Sequence, residues 1–416
     1  MASVVVRPVL RPDSVTDAAP SIDQTAGNLA FQRWVEGFRG RALSAGISAS
    51  TFDRAFRNVR YNTDVIQKDR NQSEFTKTIW QYLESAASET RIKDGQAALR
   101  TYRRQLDSIE RKYGVDKEVV VAIWGMESRY GTYKGDLPVI DSLATLAYDG
   151  RRGRFFEKQL IAALKILQNG DITPARMKGS WAGAMGHTQF IPTSYLAYAV
   201  DFTGDGKRDI WSNDPSDALA STAAYLARSG WQKGKPWGVE VRLPSNFNYG
   251  LADRKITKSP SEWAALGVTG VNGRAVPNGY GSGAILLPAG GRGVAFMVFR
   301  NFRAIERYNA ADAYVIGVGH LSDRIKGGAP IKGNWPEGDR ALTEKERKEL
   351  QRLLNRAGYK VGKVDGMIGP KSMDAIRRFQ QSKGMPADGF PSYSLLKAMR
   401  TARPGATGGG GQYGRN

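Results

Sequence analysis

The stretch that most limits what this chain can fold into is Val119–Gly131, VVVAIWGMESRYG, where one acid, Glu127, follows an apolar run. Val120, Ile123, Trp124 and Glu127 fall at i, i+3, i+4 and i+7, and Asp116 stands where an N-cap belongs. The spacing predicts a helix with the carboxylate on its own apolar face. Burial among apolar side chains disfavours the charged form of a carboxyl and raises its pKa. A glutamic acid kept protonated near neutral pH is what protonation of a glycosidic oxygen requires. A buried Glu paired with Arg or Lys as scaffold fits the same spacing.

Composition narrows the chemistry further. The chain has no cysteine and only two histidines, His187 and His320. That excludes disulfides and thiolate chemistry and argues against a histidine-rich metal site or a Ser-His-Asp triad. Carboxylates must carry any acid–base work. With 61 Lys+Arg against 40 Asp+Glu the formal charge is +21, which favours a polyanionic partner. A length of 416 residues allows a domain of roughly 250–300 residues and a smaller module. No run of about 18 apolar residues suggests a membrane span. The start, MASVVVRPVLRPDS, lacks an apolar run long enough for a signal peptide, so the chain is either cytoplasmic or exported by a signal outside this sequence.

Taken in order, residues 1–27 read as a flexible arm, with helices expected near 29–44, 51–57 and 87–113. After the Glu127 helix, helical pattern recurs at Asp141–Tyr148 and 154–168, with Arg151-Arg152 between them. The stretch GSWAGAMGHTQFIPTSY at 179–195 is rich in small residues, which let backbones approach each other or a ligand closely. Gln189 and Phe190 there would offer an amide and an aromatic face, a pairing suited to sugars; a tight helix crossing is the plainer reading. In DFTGDGKRDIW, Asp201, Thr203, Asp205, Lys207 and Asp209 stand at positions 1, 3, 5, 7 and 9 of an EF-hand-type loop, with Gly206 at position 6. Position 12 is Ser212 rather than Glu, and Asp217, on the helix opened by Asp214-Pro215, stands further along as a substitute. An Asp/Gly-rich turn without metal fits as well. Residues 232–300, with β-like runs at 238–243, 284–288 and 294–299, read as a small β subdomain inserted in a helical body. Helical pattern returns at Ala310–Ile325. A linker is expected over 327–341, then a three-helix module at 342–400 with a weak repeat (Asp365-Gly366 and Asp388-Gly389), and a flexible tail.

The span from Phe31 to Ile325 resembles the soluble lytic transglycosylase B family of cell-wall enzymes, through AIWGMESRYG at 122–131, GSWAGAMGHTQFIPTSY and DFTGDGKRDIW. The module resembles a three-helix peptidoglycan-binding domain through DGMIGPKSMDAIRRFQ at 365–380. The resemblance implies a mainly α (α+β) fold: a lysozyme-like helical catalytic body over 28–326 with the inserted β subdomain, plus the C-terminal module. It implies cleavage of the β-1,4 bond between N-acetylmuramic acid and N-acetylglucosamine, leaving a 1,6-anhydro end, with Glu127 as sole acid and base. It places Ser180, Gln189 and Phe190 in the saccharide cleft, Arg151 and Arg152 toward the glycan and its peptide carboxylates, and Tyr225, Tyr308 and Tyr314 along the cleft walls. It implies no cofactor for the chemistry and a structural calcium on Asp201, Thr203, Asp205, Asp209 and Asp217, although the spacing to Asp217 departs from the family. The expected partner is peptidoglycan in the periplasm or cell envelope, met by a monomer and not by a transmembrane or nucleic-acid-binding protein. Two other readings compete. One is a hydrolytic muramidase, which needs a second acid (Asp136, Asp141 or Asp149) to hold water; the other is a wall-binding protein without activity.

Overall fold

The computed structural model describes residues 24–70, 77–340 and 342–401. They divide into two compact units, the first holding 24–70, 85–237 and 300–330, the second 77–84, 238–299 and 331–401. Helices α1 (Gln24–Ser44), α2 (Ala49–Phe56), α3 (Thr63–Arg70) and α4 (Ile79–Ala86) precede α5 (Glu89–Thr101) and α6 (Arg103–Tyr113). Then come α7 (Lys117–Ser128), α8 (Val139–Asp149), α9 (Gly153–Gln168), α10 (Pro192–Tyr198) and α11 (Ser216–Arg228). After α12 (Pro260–Ala265), α13 (Arg300–Tyr308) and α14 (Asp312–Ile325) return to the first unit. Among the described residues no helix is long and apolar enough to cross a membrane. The arm expected over 1–27 lies outside the described residues as far as 23, and α1 already begins at Gln24. The expected tail beyond Thr401 lies outside them too.

The centre of the first unit is α7, packed against α5, α6, α11 and α14. Every residue from Val119 to Gly125 is buried. A helix covered on all sides is apolar on all sides, so the single apolar stripe expected from the spacing is replaced by an all-round core helix. Asp116 sits at its N-cap but makes no capping bond. Its carboxylate instead accepts from Trp231 Nε1 (2.8 Å) and from the Gly234 amide (3.1 Å). The helix expected over 87–113 is two, α5 and α6, broken at Tyr102, whose ring meets Trp124 edge-on at 5.5 Å. Two short strands, β1 (Leu137–Pro138) and β2 (Lys178–Gly179), pair antiparallel and bring the loop after α7 against the small-residue stretch. Gly135 makes that approach possible: at φ 83° a Cβ would lie 2.2 Å from the Gly179 carbonyl carbon.

In the second unit, β3 (Gly238–Arg242), β4 (Thr269–Gly270), β5 (Ala284–Leu286) and β6 (Ala295–Val298) form an antiparallel sheet of order β4-β3-β6-β5. Val241, Trp263, Ile285 and Met297 are buried in its core. The expected runs at 238–243, 284–288 and 294–299 coincide with β3, β5 and β6. These residues cluster with 331–401 rather than with the helical body. The stretch expected as a linker is fastened down over 331–340. The Lys332 and Gly333 amides donate to Glu240 (2.8 and 2.6 Å), Trp335 stacks on Trp80, and Asp339 accepts from the Ser394 amide and hydroxyl. Beyond it α15 (Glu344–Arg356), α16 (Pro370–Ser382) and α17 (Tyr393–Thr401) close around Leu350, Leu354, Ile376, Phe379 and Leu396. A capping box between Thr343 and Glu346 starts α15.

Candidate active site

Glu127 occupies the last turn of α7 and is half-buried. The Tyr314 hydroxyl, on buried α14, donates to its Oε1 at 2.7 Å. The chain leaves α7 through three residues in the left-handed region, Arg129 (φ 49°), Tyr130 (φ 56°) and Gly131 (φ 86°). Two non-glycine residues there are costly, and packing offsets the cost: the Tyr130 hydroxyl donates to the Arg91 carbonyl at 2.7 Å, and its ring fills the space beside Gly125 and Gly95.

The small-residue stretch lies directly against this exit. Trp124 Nε1 donates to His187 Nδ1 (3.1 Å) and His187 Nε2 donates to the Ser212 carbonyl (2.7 Å), which fixes the neutral tautomer with its proton on Nε2. Burial pushes this imidazole down to about 4. Ser128 Oγ donates to the His187 carbonyl (2.5 Å) and accepts from the Gly131 amide (2.9 Å). Lys134 Nζ donates to the carbonyls of Trp211 and Ser212, and Gln189 Nε2 donates to those of Lys134 and Gly186. Gln189, at φ 52°, therefore ties two loops together. Ser180 is buried and accepts from the Ala184 amide.

Phe190 is fully enclosed, its ring 6.0 Å from Tyr225 and 5.9 Å from Tyr308. Tyr225 donates to the Arg307 carbonyl and Tyr308 to the Thr188 carbonyl, both at 2.5 Å. These three rings form a buried cluster that braces α11, α13 and the small-residue stretch. The open aromatic face expected of Phe190 is not present, because its apolar ring is spent on packing. Arg151 and Arg152 converge on Asp69, which is 1% exposed: Arg151 makes a two-pronged contact (2.7 and 2.8 Å) and Arg152 a single one (2.7 Å). Both guanidinium side chains stay partly open to solvent.

In the acid loop, carboxylate oxygens of Asp201, Asp205 and Asp217 lie within 4.8 Å of one another. Asp217, buried in the first turn of α11, accepts the Phe202, Thr203 and Asp209 amides and so shapes the loop from beneath; burial raises its pKa. Thr203 Oγ1 donates to Asp201 at 3.4 Å. Asp209 is not in that group of three; its Oδ1 accepts the Trp211 and Ser212 amides.

The family described as transglycosylase SLT domain matches residues 30–323, and a peptidoglycan binding domain matches 343–399. The chain belongs to the SLT transglycosylase family. It is 54% identical to SltB3 of Pseudomonas aeruginosa, solved in complex with NAG-anhNAM-pentapeptide; the match covers 89% of this chain and 99% of that one at a TM-score of 0.86. It resembles SLT35 of Escherichia coli, solved in complex with calcium, at 29% identity over 72% of this chain and 94% of the other, with a TM-score of 0.60. Membrane-bound lytic murein transglycosylase B of Escherichia coli (strain K12) is 35% identical over 242 residues, 56% of this chain and 63% of the relative's length.

Several residues that hold the candidate site together carry no signal in the sequence. Asp69 is one acid in a charged helix end, and its role follows only from Arg151 and Arg152 folding onto it. Asp171, which takes the Arg208 guanidinium and amide and so braces the acid loop, is likewise silent. His187 could have been noticed, as one of two histidines lying inside a motif. Of the acids a hydrolytic mechanism would need, Asp149 is held by Arg70 at 2.9 Å, Asp141 is half-buried with its pKa raised by burial, and Asp136 is exposed.

Proposed function

We propose that this transglycosylase cleaves the β-1,4 bond between N-acetylmuramic acid and N-acetylglucosamine in peptidoglycan without water, leaving a 1,6-anhydro-N-acetylmuramic end. The observation that carries the proposal is Glu127 at the tip of a core helix, its carboxyl oriented by the Tyr314 hydroxyl. Protonated Glu127 gives its proton to the glycosidic oxygen as the bond from that oxygen to the anomeric carbon breaks. The carboxylate so formed takes the proton of the C6 hydroxyl as O6 bonds to the anomeric carbon. Glu127 ends protonated, so one residue serves both steps where hydrolysis generally uses two. The substrate's acetamido group supports the charge developing between them. The anhydro-sugar complex of SltB3 supports the same product class.

Arg151 and Arg152, pre-aligned by Asp69, meet the carboxylates of the stem peptides. Ser180, Gln189, Phe190, Tyr225 and Tyr308 set the backbone that the glycan lies against, the last three from within the packed cluster. The donor set of Asp201, Asp205 and Asp217, with the Thr203 hydroxyl, fits calcium, a hard cation that takes carboxylate and hydroxyl oxygens. Bound there, calcium supplies charge neutralisation that rigidifies the loop and takes no part in proton transfer. The protein works as a monomer in the periplasm, where its +21 charge suits a polyanionic wall, and the C-terminal module holds it on the substrate.

The test is mass spectrometry of products from purified peptidoglycan. Anhydro-muropeptides released by the wild type and not by Glu127→Gln are expected. Reducing-end muropeptides would favour the hydrolytic reading, and unchanged release by Glu127→Gln would remove Glu127 from the chemistry.

A further inference from the structure

The C-terminal module builds one hydrogen-bond clasp twice. In the first, Gln351 Nε2 donates to Asp365 Oδ1 (3.1 Å), the Gly366 amide to Gln351 Oε1 (2.8 Å) and the Met367 amide to Asp365 Oδ1 (2.8 Å). In the second, Gln380 Nε2 donates to Asp388 Oδ1 (2.6 Å), the Gly389 amide to Gln380 Oε1 (2.8 Å) and the Phe390 amide to Asp388 Oδ1 (2.9 Å). Both glutamines are buried, and Gly366 (φ 79°) and Gly389 (φ 74°) turn the chain alike. Each clasp thus presents the same tip: an aspartate whose Oδ2 lies outside the clasp, a left-handed glycine and a hydrophobic residue.

The second tip grips a piece of this chain. Asp388 Oδ2 accepts the Gly291 amide at 2.8 Å. The neighbouring Gly290 lies so close that a Cβ there would meet Asp388 Oδ2 at 2.6 Å and Phe390 Cβ at 2.8 Å. What the tip recognises is therefore a backbone amide within a run of very small residues, Ala289-Gly290-Gly291. The first tip holds its hydrophobic residue out: Met367 is 73% exposed, far more than any other large apolar side chain that the fold leaves open among the described residues. Lys363 and Lys371, both exposed, stand four residues before and four after it in the sequence.

We propose that the tip formed by Asp365, Gly366 and Met367 is where the module takes peptidoglycan, and that it takes the stem peptide rather than the glycan. An alanyl backbone amide donates to Asp365 Oδ2, as Gly291 does to Asp388. The alanyl methyl packs on the Met367 thioether, and the two lysines face the peptide's carboxylates. The proposal rests on reading the module as a wall-binding one and names the part of the wall it holds.

The experiment is pelleting of the full-length chain, carrying Glu127→Gln to prevent turnover, with intact sacculi, and fluorescence anisotropy of the same chain with labelled glycan strands that an amidase releases from those sacculi free of stem peptide. Two variants are made on that background. Asp365→Asn keeps an oxygen for the clasp but puts an amide donor where Oδ2 accepts; Met367→Glu leaves the clasp untouched. Each is expected to bind intact sacculi about tenfold more weakly than its parent, to match it on the peptide-free glycan strands, and to keep its melting temperature. Parent-like binding of both variants to intact sacculi overturns the proposal and leaves the wall-binding reading standing. A parent that fails to pellet with intact sacculi overturns both.

Discussion

The two histidines give a sharp prediction of how stability depends on pH. His187 and His320 are 4% and 9% exposed, and burial lowers each to about 4 from an ordinary 6.5. Between those values the unfolded chain binds protons that the folded chain refuses. The slope of unfolding free energy with pH follows the protons bound by the unfolded state minus those bound by the folded one. It is therefore positive in this window, and stability falls as pH drops below 6.5. For a pair of values at 4 and 6.5, the loss between pH 8 and pH 5 is about 2 kcal/mol for each histidine. Both lie in the first unit, so their losses fall on the same folded body. The assay is urea unfolding of the wild type and of His320→Gln at pH 8 and pH 5. The variant should lose about 2 kcal/mol less than the wild type over that interval. Imidazole proton resonances provide a direct check, because the chain contains only these two rings. A ring titrating near 6.5 in the folded protein, or equal acid losses in wild type and variant, would refute the burial argument.

Three further outcomes follow from the site. Tyr314→Phe removes the hydrogen bond that orients the Glu127 carboxyl and should lower kcat by about tenfold with little change in KM or melting temperature; unaltered kcat would make the contact incidental. Asp69→Ala removes the shared acid of two arginines that solvent can still reach, so only about 1 kcal/mol of stability should be lost, together with a rise in KM on peptide-bearing glycan that is absent on bare glycan strands. Millimolar calcium should raise the melting temperature of the wild type but not of Asp217→Ala, as read by calorimetry; equal shifts in both would place the cation elsewhere.

How much of this was legible beforehand depended on whether a residue's role is local. The runs that became β3, β5 and β6, the helices α9, α11 and α14, and the three-helix module all carry their signal within a dozen residues, so period and turn residues sufficed. The acid loop was legible as a pattern, but which acids converge in it was not: Asp201, Asp205 and Asp217 gather their oxygens within 4.8 Å, and spacing alone did not separate Asp209 from them. The apolar face offered by Phe190 was misjudged for a related reason, since an aromatic in a small-residue motif can fill the space those residues open. Contacts across long separations left no trace at all, as with Asp69 and Arg151, 82 residues apart. That the linker expected over 327–341 is held along 331–340 was not legible either, because glycine and proline mark a break in regular structure, while Glu240, Trp80 and Ser394 decide whether the broken chain is held.

The ties around Glu127 explain why the small-residue motif has to be small. Most of them end on backbone: Ser128 on the His187 carbonyl, His187 on Ser212, Lys134 on Trp211 and Ser212, Gln189 on Lys134 and Gly186. A side chain can reach a carbonyl on a neighbouring loop only if the loops run nearly in contact. Here Gly131 sits 2.6 Å, measured from where its Cβ would be, from the His187 ring, and Gly186 only 2.2 Å from the Ile210 carbonyl. The same closeness links the acid loop to α7, because the Ser212 carbonyl that follows Asp209 is the one that orients His187, and His187 in turn receives Trp124 of α7. Gly131→Ala tests that linkage at its contact with His187. Its methyl group would strike the imidazole at a φ of 86°, costing roughly 1–3 kcal/mol. If the linkage holds, kcat falls along with stability, and His187→Ala on the same background, which removes the clash but neither the strain at residue 131 nor the loss of the Trp124 and Ser212 bonds, restores neither. Recovery of both would mean that the imidazole is mere filling and that α7 positions Glu127 without help from the loops.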